Sequence, residues 1–350
     1  MKFVAIKAAR VIPIILLLVQ YNLRAGEDDW IRQSIDLTIN THFSEAESLL
    51  VKKMAAGDSG IDVNFYYASV LNSKMTHFEN QKGEEEFINA LNKVIRKTDR
   101  LIDSNPDMDS TSLAKIAFYA GSAYGYLAYY EGQCGKWYPA LSNGIKAKKY
   151  LERAVELDSA LYDAYLGVGT YNYWVSSRVK HALWLPFISD NREQGIDYIK
   201  KTVRNDSYSK YMAMHQLIYV LLDYKDYKEA EVLAEKVVKA YPESQFMWWA
   251  NAHTYFKSKK YRQAIISYRK ILSLMEKNPE SNPMHYLDCQ VRLAEIYHRL
   301  GDEAACFRHS QLALDRHYGE NLSKKDEKRL KQARELMEKS RKKAVKSNSE

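Results

Sequence analysis

The chain has 350 residues, 46% of them hydrophobic, with only 14 Gly and 7 Pro but 27 Tyr. So much apolar material with so few turn formers excludes a disordered or low-complexity chain and favours long helices joined by short turns. The formal charge of +8 sits at the ends: residues 1–25 carry +4 and residues 323–350 carry +6, which leaves −2 for the body between them. The basic balance therefore does not make the body a nucleic-acid binder.

In chain order, residues 1–25 read as a secretory signal. Lys2, Lys7 and Arg10 precede an apolar run over 11–19, and Leu23-Arg24-Ala25 supplies a small residue for cleavage. The run falls short of the ~20 residues a membrane span needs. The expectation is a periplasmic or secreted protein after cleavage near Ala25, with an uncleaved N-terminal membrane anchor as the alternative. Cys134, Cys289 and Cys306 are odd in number and contain no CxxC. Free thiols are expected for all three.

Residues 26–110 carry degenerate helix pairs, marked by Phe43, Ala46 and Leu50 and then by Phe65, Ala68 and Ser69. In 111–210 the pattern sharpens: Ala120, Gly121 and Tyr124; Ala147, Leu151 and Ala154; Tyr165, Val168, Gly169 and Asn172; Gly195, Ile199 and Thr202. Each helix places a small residue where a neighbour must come close. Two stretches, 131–144 with Trp137 and 176–192 with Trp184 and Phe187, read as long aromatic loops. At ~25 cal/mol per Å² such rings are expected to fold back over the array or to dock on a partner or membrane.

Residues 211–320 show a period. Tyr227-x-x-Ala230 recurs 34 residues on as Tyr261-x-x-Ala264, and Leu217, Ile218 and Leu221 align with Asn251, Ala252 and Tyr255. A third unit over 287–320 holds Leu293, Ala294, Tyr297 and the turn Leu300-Gly301-Asp302, after an interruption of eight residues with Asn278-Pro279 and Asn282-Pro283. Residues 321–350 begin with the cap signal Ser323 and Asp326 and continue with one apolar stripe, Leu330, Ala333, Leu336 and Met337. That stripe suits a final helix covering the open end of an array, followed by a basic tail.

This pattern resembles the tetratricopeptide repeat (TPR): small and large residues alternate on a 34-residue beat, and Pro242 stands near a repeat's end. The resemblance implies an all-α, right-handed superhelix (α-solenoid) of about six to seven helix pairs with a C-terminal capping helix. The two interruptions give a loose similarity to a TPR subgroup that includes mitochondrial outer-membrane proteins, which carries no function across. The resemblance places Phe118, Tyr126, Tyr173, Trp174, Tyr219, Phe246, Trp249, His253, Phe256 and His298, with His215 beside them, on the concave face. Whether these rings line an open groove or form packed core is left open.

There is no HExxH, no GxSxG elbow and no Gly-rich loop after a strand. No enzymatic activity, metal or cofactor is expected. The function read from these residues is an exported scaffold that binds a protein or peptide partner through a concave aromatic groove. The alternative is a small-molecule or lipid carrier whose cavity is closed by the loops at 131–144 and 176–192. No nucleic acid is expected; peripheral association with an envelope membrane and the oligomeric state stay open.

Overall fold

The computed structural model describes residues 29–57, 60–105, 107–178, 189–278, 281–319 and 322–347. The expected signal sequence, and Trp184 and Phe187, lie outside the described residues. Every regular element among the described residues is a helix: α1 (Asp29–Ile39), α2 (Phe43–Ala55), α3 (Ile61–Phe78), α4 (Glu84–Ser104), α5 (Ser110–Gln133), α6 (Trp137–Leu157), α7 (Tyr162–Arg178), α8 (Arg192–Arg204), α9 (Lys210–Tyr224), α10 (Tyr227–Ala240), α11 (Gln245–Lys257), α12 (Tyr261–Lys277), α13 (Pro283–Leu300), α14 (Glu303–Asp315) and α15 (Lys324–Ser347). Successive helices pack against each other. Consecutive odd-numbered helices also touch from α1 through α11, so they form one face of the array. The result is an α-solenoid of seven hairpins closed by α15.

Local chemistry explains the segmentation. Asp226, Ser244, Asn282 and Asp302 each accept the backbone N–H two or three residues on, at 3.1, 3.2, 2.9 and 2.9 Å, and so start α10, α11, α13 and α14. The turn inside each of the last three hairpins uses one left-handed residue: Lys225, then Lys259 34 residues later, then Gly301 42 residues after that. The extra eight residues lengthen α12 and its exit, as the sequence interruption requires. Small residues such as Ala213, Ala230, Ala250 and Ala264 are fully buried between helices. The tightest approach joins α7 to α8. A Cβ on Gly195 would lie 2.7 Å from the Gly169 carbonyl oxygen and 2.8 Å from the Tyr173 nitrogen. Only glycine permits that spacing.

The stretch 131–144 is not a loop. It is helical except for 134–136, with Gly135 at φ 74° making the turn. Three expected helix breakers fail to break it. Pro139 is the third residue of α6, inside the first turn, where backbone N–H groups have no intrahelical acceptor. Gly144 is buried against Tyr171, and Gly132 falls in the last turn of α5. Asn143 donates to Glu131 at 2.9 Å across the hairpin. With 21 residues against 14 in α10, α6 is about 10 Å longer than that counterpart.

The array also closes on itself. Tyr241 donates to Asp36 at 2.5 Å, Ser244 donates to the Ile39 carbonyl, and Asn278 donates to Thr41 at 3.0 Å. Asn282 reaches the His77 carbonyl at 3.0 Å and Lys325 pairs with Glu79 at 2.6 Å. Ile39 shares a core with Leu217, Leu221 and Met247. The first two hairpins thus pack on the start of α11, the α12–α13 corner and α15, more than 200 residues away.

α15 begins with the expected reciprocal cap: the Ser323 hydroxyl donates to Asp326 at 2.5 Å, and the Asp326 N–H returns to the Ser323 oxygen at 3.3 Å. Ala333 and Leu336 are buried against α13 and α14. Cys134, Cys289 and Cys306 are free thiols, the last two buried in separate clusters. No helix among the described residues is long and apolar enough to cross a membrane.

Candidate functional site

The odd-numbered helices carry the residues placed on the concave face. Three of them, Tyr219, Phe246 and His253, come together in one column of rings with His215. His215 stacks on Phe246 at 3.8 Å between centroids and 21° between planes, and touches Tyr219 at 5.0 Å. Tyr219 stacks on His253 at 5.7 Å and 25°. The column runs across α9 and α11 because equivalent positions of successive hairpins face one another. At its end Phe256 lies beneath the guanidinium groups of Arg292, 5.0 Å from its centroid, and Arg299, at 5.7 Å.

Trp249 belongs to a second group beside the column. Its ring meets Tyr268 at 5.8 Å and His285 at 5.5 Å, and His285 meets His77 of α3 at 4.9 Å. The closing seam therefore meets the concave face at Trp249 and His285. His285 and His77 escaped the sequence reading. The eight-residue interruption shifts His285 out of the repeat register, and His77 reaches the site only through the closure.

Burial sets the charge state of these rings. It lowers His215 to about 3. It lowers His285 to about 3, aided by His77, Lys325 and Arg329, and His253 to about 4, aided by Lys257 and Arg292. All three imidazoles are neutral at pH 7, which permits stacking without a buried charge. Burial raises Tyr219 to about 12. Trp249 Nε1 and His285 Nδ1 are buried without a hydrogen-bond partner among the described residues. A buried polar atom left unmatched costs about 1–3 kcal/mol, so native chains rarely keep one.

The remaining residues placed on this face do other work. Tyr173 is 0% exposed and donates to Asp223 at 2.7 Å. It is core, drawn inward by the Gly169–Gly195 contact, and it is no groove residue. Trp174 is half-buried with its ring edge-on to Tyr173 at 5.1 Å. Phe118 and Tyr126 pack on Phe65 of α3, and Tyr126 shares a 2.8 Å hydrogen bond with Ser69. His298 contacts Glu303 at 3.0 Å across the α13–α14 turn, and Glu303 also accepts from Lys343 at 2.9 Å. His298, Glu303 and Cys306 bring ligand atoms within 4.8 Å of one another. The carboxylate there already has two partners, and burial raises the thiol, so the donor set suits a structural brace rather than a metal ion.

Trp137 lies on the outside of α6, exposed. Among the described residues, one pocket of about 460 Å³ lies between α3, α4 and α5 beside Lys97, Leu101 and Tyr119, and one of about 370 Å³ lies beside Ile95, Tyr124 and Lys136. Neither touches the ring column.

No family model matches the chain, and no curated protein matches it. Among solved structures it is similar to the C-terminal part of a TPR repeat-containing protein from Cytophaga hutchinsonii, at 15% identity over 86% of this chain and 99% of that one, TM-score 0.45. It is also similar to a tetratricopeptide repeat protein from Parabacteroides merdae, at 14% identity over 87% and 98%, TM-score 0.40. A third is PilW, a type IV pilus biogenesis factor, at 15% identity over 69% and 91%, TM-score 0.43. The helices packed in sequential order and the unbroken contact of odd-numbered helices from α1 to α11 make this chain an α-solenoid of helical hairpins.

Proposed function

We propose that the chain is a binding scaffold that holds a segment of a protein partner on the concave face of α9, α11 and α13. The observation that carries this reading is the column His215–Phe246–Tyr219–His253, whose polar atoms make no hydrogen bond to any described residue. Stacked rings give a large contact area at low entropic cost, and their unmatched nitrogen and hydroxyl atoms suit the backbone amides of an extended or helical peptide. Arg292, Arg299 and Lys257 at the end of the column favour acidic residues in that segment. The small-molecule carrier is less favoured, since residues 131–144 are helical and provide no loop to close a cavity.

A displayed random-peptide library panned against the purified chain tests this reading. Peptides enriched by the native chain should lose binding by about tenfold or more when Tyr219→Phe and His253→Ala are combined, with helicity unchanged. Failure to enrich any peptide, or equal enrichment by the double variant, contradicts it.

A further inference from the structure

One apolar surface of α6 is exposed among the described residues. Trp137 is 63% exposed and Tyr138 84%, and Leu141 and Ile145 are exposed with them. At 100° per residue these four positions of α6 fall within one quarter or so of the helix circumference, a continuous stripe along the first turns at the tip of the long hairpin.

Its charge surroundings are one-sided. Between Glu131 and Glu152 the sequence holds no acid and four lysines, Lys136, Lys146, Lys148 and Lys149. Lys136, Lys146 and Lys149 are exposed. The guanidinium of Arg178, on α7, lies over the Trp137 ring at 5.7 Å. Of the acids on this side, Glu131 accepts from Asn143 at 2.9 Å, Glu152 pairs with Lys148 at 3.3 Å, and Asp99 of α4 faces Tyr150 and Tyr124, over whose ring Lys146 lies.

We infer that this tip is a docking surface for an anionic lipid bilayer, into whose headgroup region Trp137, Tyr138, Leu141 and Ile145 insert. Tryptophan and tyrosine carry an apolar ring and a polar tip, which matches the graded polarity of that region, and the surrounding lysines keep their ammonium groups in water against the phosphates. A short stripe flanked by Lys136, Lys146, Lys149 and Arg178, which form no ion pair among the described residues, is complementary to a negatively charged surface and repels a like-charged copy of itself. Each lysine or arginine near an anionic surface strengthens binding about fivefold.

Co-sedimentation of the full chain with vesicles tests the inference. Vesicles of one-third phosphatidylglycerol in phosphatidylcholine should bind the chain at least about tenfold more tightly than phosphatidylcholine alone, and the difference should shrink in high salt. Trp137→Ser with Tyr138→Ser, and separately Lys146→Glu with Lys149→Glu, should each reduce binding about tenfold or more while circular dichroism is unchanged. No binding to the anionic vesicles, or binding unaffected by both pairs, overturns it. So does concentration-dependent self-association in sedimentation velocity that Trp137→Ser abolishes, which would assign the stripe to a second copy.

Discussion

Two sets of aromatic residues in this chain look alike in sequence and differ in structure. On α9 and α11 the rings of His215, Tyr219, Phe246 and His253 face the next hairpin and stack on one another. On α6 the rings of Trp137 and Tyr138 are exposed, Trp137 meeting the Arg178 guanidinium at the end of α7. Register decides the difference. A ring at a position repeated in the next hairpin finds a partner at stacking distance, whereas a ring on the extra turns of a lengthened hairpin has no counterpart to meet. The first set stabilises the array; the second is free for an outside surface.

The difference between packed and outward rings is tested most strongly by removing the tryptophan beside the column and, separately, one at the tip. Trp249→Ala takes away a half-buried ring packed on Tyr268 and His285 and should destabilise the chain by about 3–5 kcal/mol in denaturant unfolding. Trp137→Ala should change stability by no more than about 0.5 kcal/mol. Equal effects would mean that the two sets are not distinct.

Acid should weaken the stacked set selectively. The folded values of His215, His253 and His285 lie near 3, 4 and 3, below the ~6.5 of an unfolded histidine. The unfolded chain therefore binds protons first. Stability from the neutral rings is full above about pH 6.5 and drains as pH falls towards 4. Each ring forfeits at most about 2 kcal/mol at pH 5. Urea unfolding at pH 7 and pH 5 should show this loss, and replacing His215 by Phe should reduce it. A midpoint that stays fixed between these pH values would contradict the burial of these rings.

A smaller contrast lies within the concave face. Tyr173→Phe removes a hydrogen bond to the Asp223 carboxylate and should cost about 1–2 kcal/mol. Tyr219→Phe removes a hydroxyl with no hydrogen-bond partner among the described residues and should cost less than about 0.5 kcal/mol, while weakening peptide binding. The reverse order would show that Tyr219 is the structural residue of the pair.

The repeat made most of the fold legible. Ala230 and Ala264 mark consecutive hairpins, Ser323 and Asp326 mark the start of α15, and the small residues at 169 and 195 mark the closest helix contact. The tip of the α5–α6 hairpin was not legible, because Gly132, Gly135, Pro139 and Gly144 together imitate a loop. Only packing shows that Pro139 occupies a tolerant first turn and that Gly144 makes room for Tyr171. The concave column was legible through the positions of Tyr219, Phe246 and His253. The burial of Tyr173 was not, since it follows from a glycine contact one helix away. Nor was the role of Asp163, whose carboxylate accepts the Ser209 N–H at 2.7 Å just before α9. The closure of α1 and α3 onto α11 and α13 has no periodic signal, because each of its bonds joins residues that occur once.

The central claim is that recognition occurs on the ring column and not on the outward tip. A photocrosslinking benzophenone amino acid placed at position 253, and separately at position 141, measures this with the peptide selected on the native chain. A covalent adduct is expected from position 253 and none from position 141. An adduct from 141 alone, with the peptide still bound, would contradict it.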